Sequence, residues 1–179
     1  MRDDLATRQA ICEVGSRLWQ KGLISGNEGN FSVRVKPSRI LATPSGLSKG
    51  HLLPEQIVEI DADGSPVNGG APSTEIRIHL EAYRLRSDCF AVVHAHPPTA
   101  IAFTVAGEPI PDDVLPEAAY VLGHVPTVEF GMPGTSDLSD KLTPHLATSK
   151  TLLLTHHGAM PLGRDIFDAC YRMECLESV

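Results

Sequence analysis

The sequence predicts a single α/β domain. Segments of helical period occupy residues 5–23, 73–86 and 165 onward. Between them stand short runs of strand length, alternating at 31–35 and apolar at 90–93 and 152–154. The 179 residues, 42% of them hydrophobic, suit one domain with a real core.

In the N-terminal helix, Ile11, Val14, Leu18 and Trp19 follow helical spacing and Gly22 sits near the end, so Trp19 reads as core. The loop 25–30 holds two glycines and two asparagines, residues that tolerate positive φ. Strands are predicted at 31–35, 39–43 and 57–60. The second ends in the turn 44–48, where Ser45 offers a hydroxyl and Gly46 an accessible amide, although a plain turn explains both. The helix at 73–86 takes Ser73 or Thr74 as its N-cap and places Glu75 in its first turn, where a carboxylate is favoured. That same helix start suits an anion. His79, one turn on, reads as packing or as support for the site.

Strand 90–93 runs into His94, Ala95 and His96, and Pro97 and Pro98 then turn the chain. A helix follows through 100–105. Residues 109–116 are irregular, 117–122 form a short helix with Glu117 and Tyr120, and 125–128 are strand-like. Thr135 or Ser136 caps a helix running to 146. The strand at 151–155 leads into His156, His157 and Gly158. The last helix buries Ile166, Ala169, Cys170, Met173 and Leu176. It meets no helix-stop signal, so the chain reads as cut short at its C-terminus, with an apolar face that needs a missing helix or another subunit to cover it.

The formal charge of −7 argues against a nucleic-acid partner, because phosphate backbones require clustered Lys and Arg. No apolar run approaches the roughly 20 residues of a membrane span. The first five residues carry acid where a signal peptide is basic and then apolar. Cys12, Cys89, Cys170 and Cys175 lack framework spacing and form no CxxC pair, which reads as reduced, packed thiols in a cytoplasmic protein.

Side chains two apart in a strand share a face, so His94 and His96 aim two imidazoles at one point. A second histidine pair, at 156 and 157, ends another apolar strand. Three strand-end histidines plus the helix-start carboxylate Glu75 make a four-ligand set that suits zinc better than magnesium or calcium. A hydroxyl-rich helix start nearby adds a phosphate site, and the combination points to a small sugar phosphate as substrate.

Five motifs stand in order: Gly29-Asn30-Phe31-Ser32, Thr43-Pro44-Ser45-Gly46, Ser73-Thr74-Glu75, His94-Ala95-His96 and His156-His157-Gly158. In them the chain resembles the class II aldolase/adducin family over nearly its whole length, and most of all the fuculose-1-phosphate aldolases. The resemblance implies a three-layer α/β/α fold with a largely antiparallel central sheet. It implies one Zn²⁺ per subunit on His94, His96 and His157, the last chosen over His156 because the family's ligand directly precedes the glycine. Glu75 would be the acid/base on or near the metal, and Asn30, Ser45, Gly46, Ser73 and Thr74 would bind the substrate phosphate. Homotetramers with active sites where subunits meet are implied as well.

The expected reaction is retro-aldol cleavage of a ketose 1-phosphate, in which breaking the C3–C4 bond leaves the enediolate of dihydroxyacetone phosphate. The family's second acid/base is a tyrosine whose ungapped match here is Leu115. Glu117 is taken in its place, with Tyr120 close by. A carboxylate there resembles the methylthioribulose-phosphate dehydratases, which stand as an alternative beside the pentulose-phosphate 4-epimerases. A non-catalytic adducin-like scaffold is the alternative from another class.

Overall fold

The structure, a computed structural model, describes residues 4–67 and 69–179. The chain runs α1 (Asp4–Gln20), β1 (Asn30–Lys36), β2 (Arg39–Ala42), β3 (Val58–Ile60), α2 (Ile76–Leu85), β4 (Ala91–His94) and α3 (Pro98–Ala106). It continues through β5 (Thr127–Val128), α4 (Ser136–Leu146), β6 (Thr151–Leu154), β7 (Gly158–Gly163) and α5 (Ile166–Ser178). The seven strands form one sheet in the order β3-β2-β1-β4-β7-β6-β5. Every pairing is antiparallel except β5 with β6.

Strand alternation divides the core into two layers. Phe31, Val33, Leu41, Val93 and Leu153 pack with Ile11, Val14 and Leu18 of α1, with α3 and with α5. Ile40, Ile60, Val92, Leu152 and Leu154 face the other way, against Ile78 and Ala82 of α2 and Leu138 and Leu142 of α4. The sheet is thus covered on both faces, giving the expected α/β/α layers.

Four expectations are corrected. Helix α2 begins at Ile76 and not at residue 73. Ser45 N–H donates to Ala71 O at 2.8 Å and Pro44 bridges Pro72, which holds 71–73 extended and leaves Glu75 at the N-cap position. Phe90 lies outside β4, exposed, with the Arg34 guanidinium 5.3 Å from its ring centroid. Trp19 is 42% exposed, its ring lying against Gly50 and His51, and is not core. The apolar face of α5 needs no cover from outside, since Ile166, Ala169, Cys170, Met173 and Leu176 are already buried against α1, β4 and β7.

Strand β7 is absent from the sequence reading. Gly158, Pro161 and Gly163 disfavour a strand by propensity. Tertiary contact demands the glycines instead: a Cβ at Gly163 would lie 2.5 Å from Ala169 N.

Candidate metal centre and active site

Antiparallel pairing brings the end of β4, the end of β6, the start of β7 and the start of β1 to one edge of the sheet. Asn30 pairs with His94, and Leu154 with Gly158. His94 closes β4, fully buried, with Nδ1 3.0 Å from Ala159 O. That bond puts the proton on Nδ1 and leaves the Nε2 lone pair facing the cluster. Ala95 exchanges both backbone hydrogen bonds with Ala159, so the chain stays extended to His96, whose ring returns to the same side.

His157 arrives from the turn between β6 and β7. Its N–H donates to Leu154 O at 3.1 Å, closing the turn. The corner residue, His156, has φ 54°, the one positive φ outside glycine among the described residues. Its N–H donates to the buried Thr104 Oγ1 at 3.0 Å, and its side chain is exposed. The glycine after His157 has a steric cause. A Cβ on Gly158 would sit 2.5 Å from Ala95 O, 2.8 Å from His96 Cδ2 and 3.0 Å from His94 Cε1.

One ligand atom from each of His94, His96 and His157 lies within 4.8 Å of the others. Glu75 completes the group, with Oε1 3.1 Å from His157 Nε2 and Oε2 3.5 Å from His94 Nε2. Asn30 Nδ2 donates to Glu75 Oε2 at 2.9 Å. Burial acts to raise the Glu75 carboxyl, but the hydrogen bonds and charge offered by His157, His94 and Asn30 outweigh it and hold the pKa at about 2. Burial pushes His94 down to about 3 and, with His157 adding to it, lowers His96. The set therefore presents uncharged imidazole at His94 and His96 beside an anionic carboxylate.

The arrangement fits a divalent cation on its own geometry. His94 Nε2 and His96 Nε2 stand 3.3 Å apart. His94 commits its Nδ1–H to Ala159 O, which leaves its Nε2 lone pair for a cation, and His96 Nδ1 stands 3.5 Å from Glu28 Oε2. Three imidazoles with one carboxylate suit zinc.

The expected phosphate residues flank Glu75. Ser73 Oγ accepts the Glu75 N–H at 3.3 Å. Ser45 and Gly46 lie on the turn bonded to 71–72, and both are exposed, as is Thr74. Asn30 is buried, and its amide is engaged with Glu75. Glu117 is exposed at the head of the helical turn 118–122, which packs on α5. Among the described residues it makes no hydrogen bond or ion pair to the histidines or Glu75. Leu115 is exposed as well, and Tyr120 is 93% exposed. Glu28, 3.5 Å from His96 Nδ1, and Thr104, which accepts the His156 N–H, also border the site, and the sequence pattern singles out neither. Only Glu28 carried a signal, its place between two glycine–asparagine steps.

Residues 9–179 match the family model described as Class II Aldolase and Adducin N-terminal domain. The chain is 30% identical over 178 residues to the 3-oxo-tetronate 4-phosphate decarboxylase of Haemophilus influenzae, covering 97% of this chain and 85% of that one. It is 32% identical over 176 residues to the L-fuculose phosphate aldolase of Methanococcus maripaludis, covering 98% and 93%. The crystal structure of L-fuculose-1-phosphate aldolase from Thermus thermophilus superimposes with a TM-score of 0.87 at 32% identity, over 99% of this chain and 91% of that one. With the sheet order and the histidine cluster in place, these matches show that the chain belongs to the class II aldolase and adducin family.

Proposed function

We propose that this protein is a metal-dependent carbon–carbon lyase that releases dihydroxyacetone phosphate from a phosphorylated keto sugar. The observation that carries the reading is the meeting of three imidazoles and one ionised carboxylate beside a turn and a helix start rich in hydroxyls and amides. His94, His96 and His157 would hold one Zn²⁺, with Glu75 as fourth ligand or neighbour. A bound Zn²⁺ supplies a Lewis acid that polarises the carbonyl next to the scissile bond. Ser45, Gly46, Ser73 and Thr74 would receive the phosphate, and Asn30 would steer Glu75. Glu75, ionised at neutral pH, takes a proton from the substrate or solvent and delivers it to the carbon freed by cleavage.

Two leaving groups are consistent with one core step. Breaking C3–C4 of a ketose 1-phosphate expels an aldehyde. Loss of the carboxyl carbon from a 3-oxo-tetronate 4-phosphate expels carbon dioxide. Both leave the same three-carbon enediolate, and protonation at carbon gives dihydroxyacetone phosphate in each case. The retro-aldol route must also move the proton of the hydroxyl that becomes the aldehyde, a task for Glu117, Tyr120 or a neighbouring subunit. Decarboxylation requires no such proton carrier. The exposed Leu115, where the aldolases' tyrosine is expected, and the likeness to the Haemophilus influenzae decarboxylase both favour that second route.

Incubation with each substrate class in turn should release dihydroxyacetone phosphate, and the class that turns over faster, with aldehyde or carbon dioxide as its co-product, decides between the routes. Chelation should abolish turnover and Zn²⁺ restore it. Glu75→Gln should lower turnover by about 10²–10⁴-fold while metal is retained. Release of dihydroxyacetone phosphate from neither class would overturn the reading. Assembly into a homotetramer, which the family resemblance implies, is tested by the solution mass.

A further inference from the structure

Lys49 is an ammonium buried to 3% exposure, and the metal chemistry above gives it no task. Its base is rigid. It opens the turn Lys49–His51, whose backbone lies flush on α1, with Gly15 against the Lys49 carbonyl and Gly50 beneath the Trp19 ring. From that base Nζ donates to Asn27 O at 2.7 Å, in the middle of loop 25–30. Burial pushes the ammonium pKa down, and the charge of Glu75 opposes the shift.

The loop it holds touches three of the four proposed ligands. Glu28 Oε2 accepts from Ser25 N and Ser25 Oγ, at 3.2 and 2.9 Å, and stands 3.5 Å from His96 Nδ1. Gly29, at φ 70°, packs so closely that a Cβ would lie 2.9 Å from His94 O. Asn30 Nδ2 donates to Glu75 Oε2. Just before the loop, Leu23 O accepts the His96 N–H at 2.8 Å.

We propose that Lys49 is a positioning residue for the metal centre: it bolts loop 25–30 in place, and the loop orients His94, His96 and Glu75. The inference rests on the metal reading above. A ligand whose second ring nitrogen and backbone are held in this way keeps its lone pair aimed, and loss of such outer partners typically weakens metal binding about 10–100-fold.

The test is competition for Zn²⁺ between the full chain and a chromophoric chelator, with melting of the metal-free chain as the structural control. Lys49→Met should weaken Zn²⁺ affinity by about 10–100-fold, and Glu28→Gln by about tenfold or more. The double variant should lose little more than the worse single one, because both act through one loop. A purely structural lysine would lower the metal-free melting temperature and leave the folded chain's affinity unchanged, which overturns the proposal. Independent, additive losses overturn it too. Should K49M fail to fold, E28Q carries the test: wild-type affinity there removes the loop's role, and a tenfold loss supports it. A wild-type chain that binds no Zn²⁺ sinks the metal reading itself, a failure distinct from unchanged affinity in the variants.

Discussion

His79 lies buried one turn after Glu75, its Nδ1 2.7 Å from Ser32 Oγ, which in turn stands 2.7 Å from Tyr83 OH. Burial pushes its pKa down from 6.5 to about 4. Unfolded, the ring binds a proton below 6.5; folded, it resists until about 4, so in that window the unfolded state holds more protons. Stability is therefore full above pH 6.5 and declines as the pH falls toward 4. Urea titrations of the metal-free chain across this window should show that decline, and a shallower one in His79→Gln. Gly158 is a second residue whose identity is forced. Gly158→Ala drives a methyl into Ala95 O and two ligand rings. A cost of about 1–3 kcal/mol is expected for such overpacking, together with loss of bound metal, read by thermal melting and metal analysis.

At the scale of elements, α3 starts at Pro98, the second of the two prolines that follow His96, and its first amides are capped by another helix. Glu177 of α5 accepts from Thr99 N at 3.0 Å and Ala100 N at 3.1 Å. A carboxylate at a helix N-terminus also meets the positive end of the dipole. Glu177→Gln should cost about 0.5–1 kcal/mol in chemical denaturation, an effect that salt reduces. Helix α3 further supplies Thr104, which holds the His156 corner, so α5 is linked through α3 to the turn that carries His157. On its other side α5 is tied to α1, where Arg17 Nη2 donates to Glu174 Oε2 at 2.7 Å. These ties place the helix that covers β4 and β7 beneath the site.

For the whole molecule, the sheet order places β4 at its centre between β1 and β7, so the three proposed histidine ligands gather at one end of the strands, with Glu75 facing them from the start of α2. A cation binding there should bridge the tips of β4 and β6 and the start of α2, segments far apart in sequence. Since only the folded chain assembles the set, Zn²⁺ at a hundred times its dissociation constant should add about 2.7 kcal/mol of stability. The melting temperature should rise with Zn²⁺ concentration and fall on chelation. Among the described residues the four cysteines are free and no helix is long and apolar enough to cross a membrane.

Periodicity and composition were enough for the α/β class and for most elements, because a half-buried helix or strand writes its exposed face into the sequence. The His-x-His spacing put two imidazoles on one side of a strand for the same reason, and the family resemblance pointed to the pairing of chain-distant motifs. Local signals failed where a distant contact overrode propensity. Strand β7, with its glycines and proline, exists because Gly158 and Gly163 let the chain pass under the histidine rings and α5. The start of α2, the outward turn of His156 and the burial of Lys49 beneath a loop were likewise decided by tertiary packing. The sequence by itself determined that imidazoles follow two strands and that a carboxylate stands near a helix start; only the fold decided that they meet, since convergence depends on backbone contacts between segments that no local pattern records.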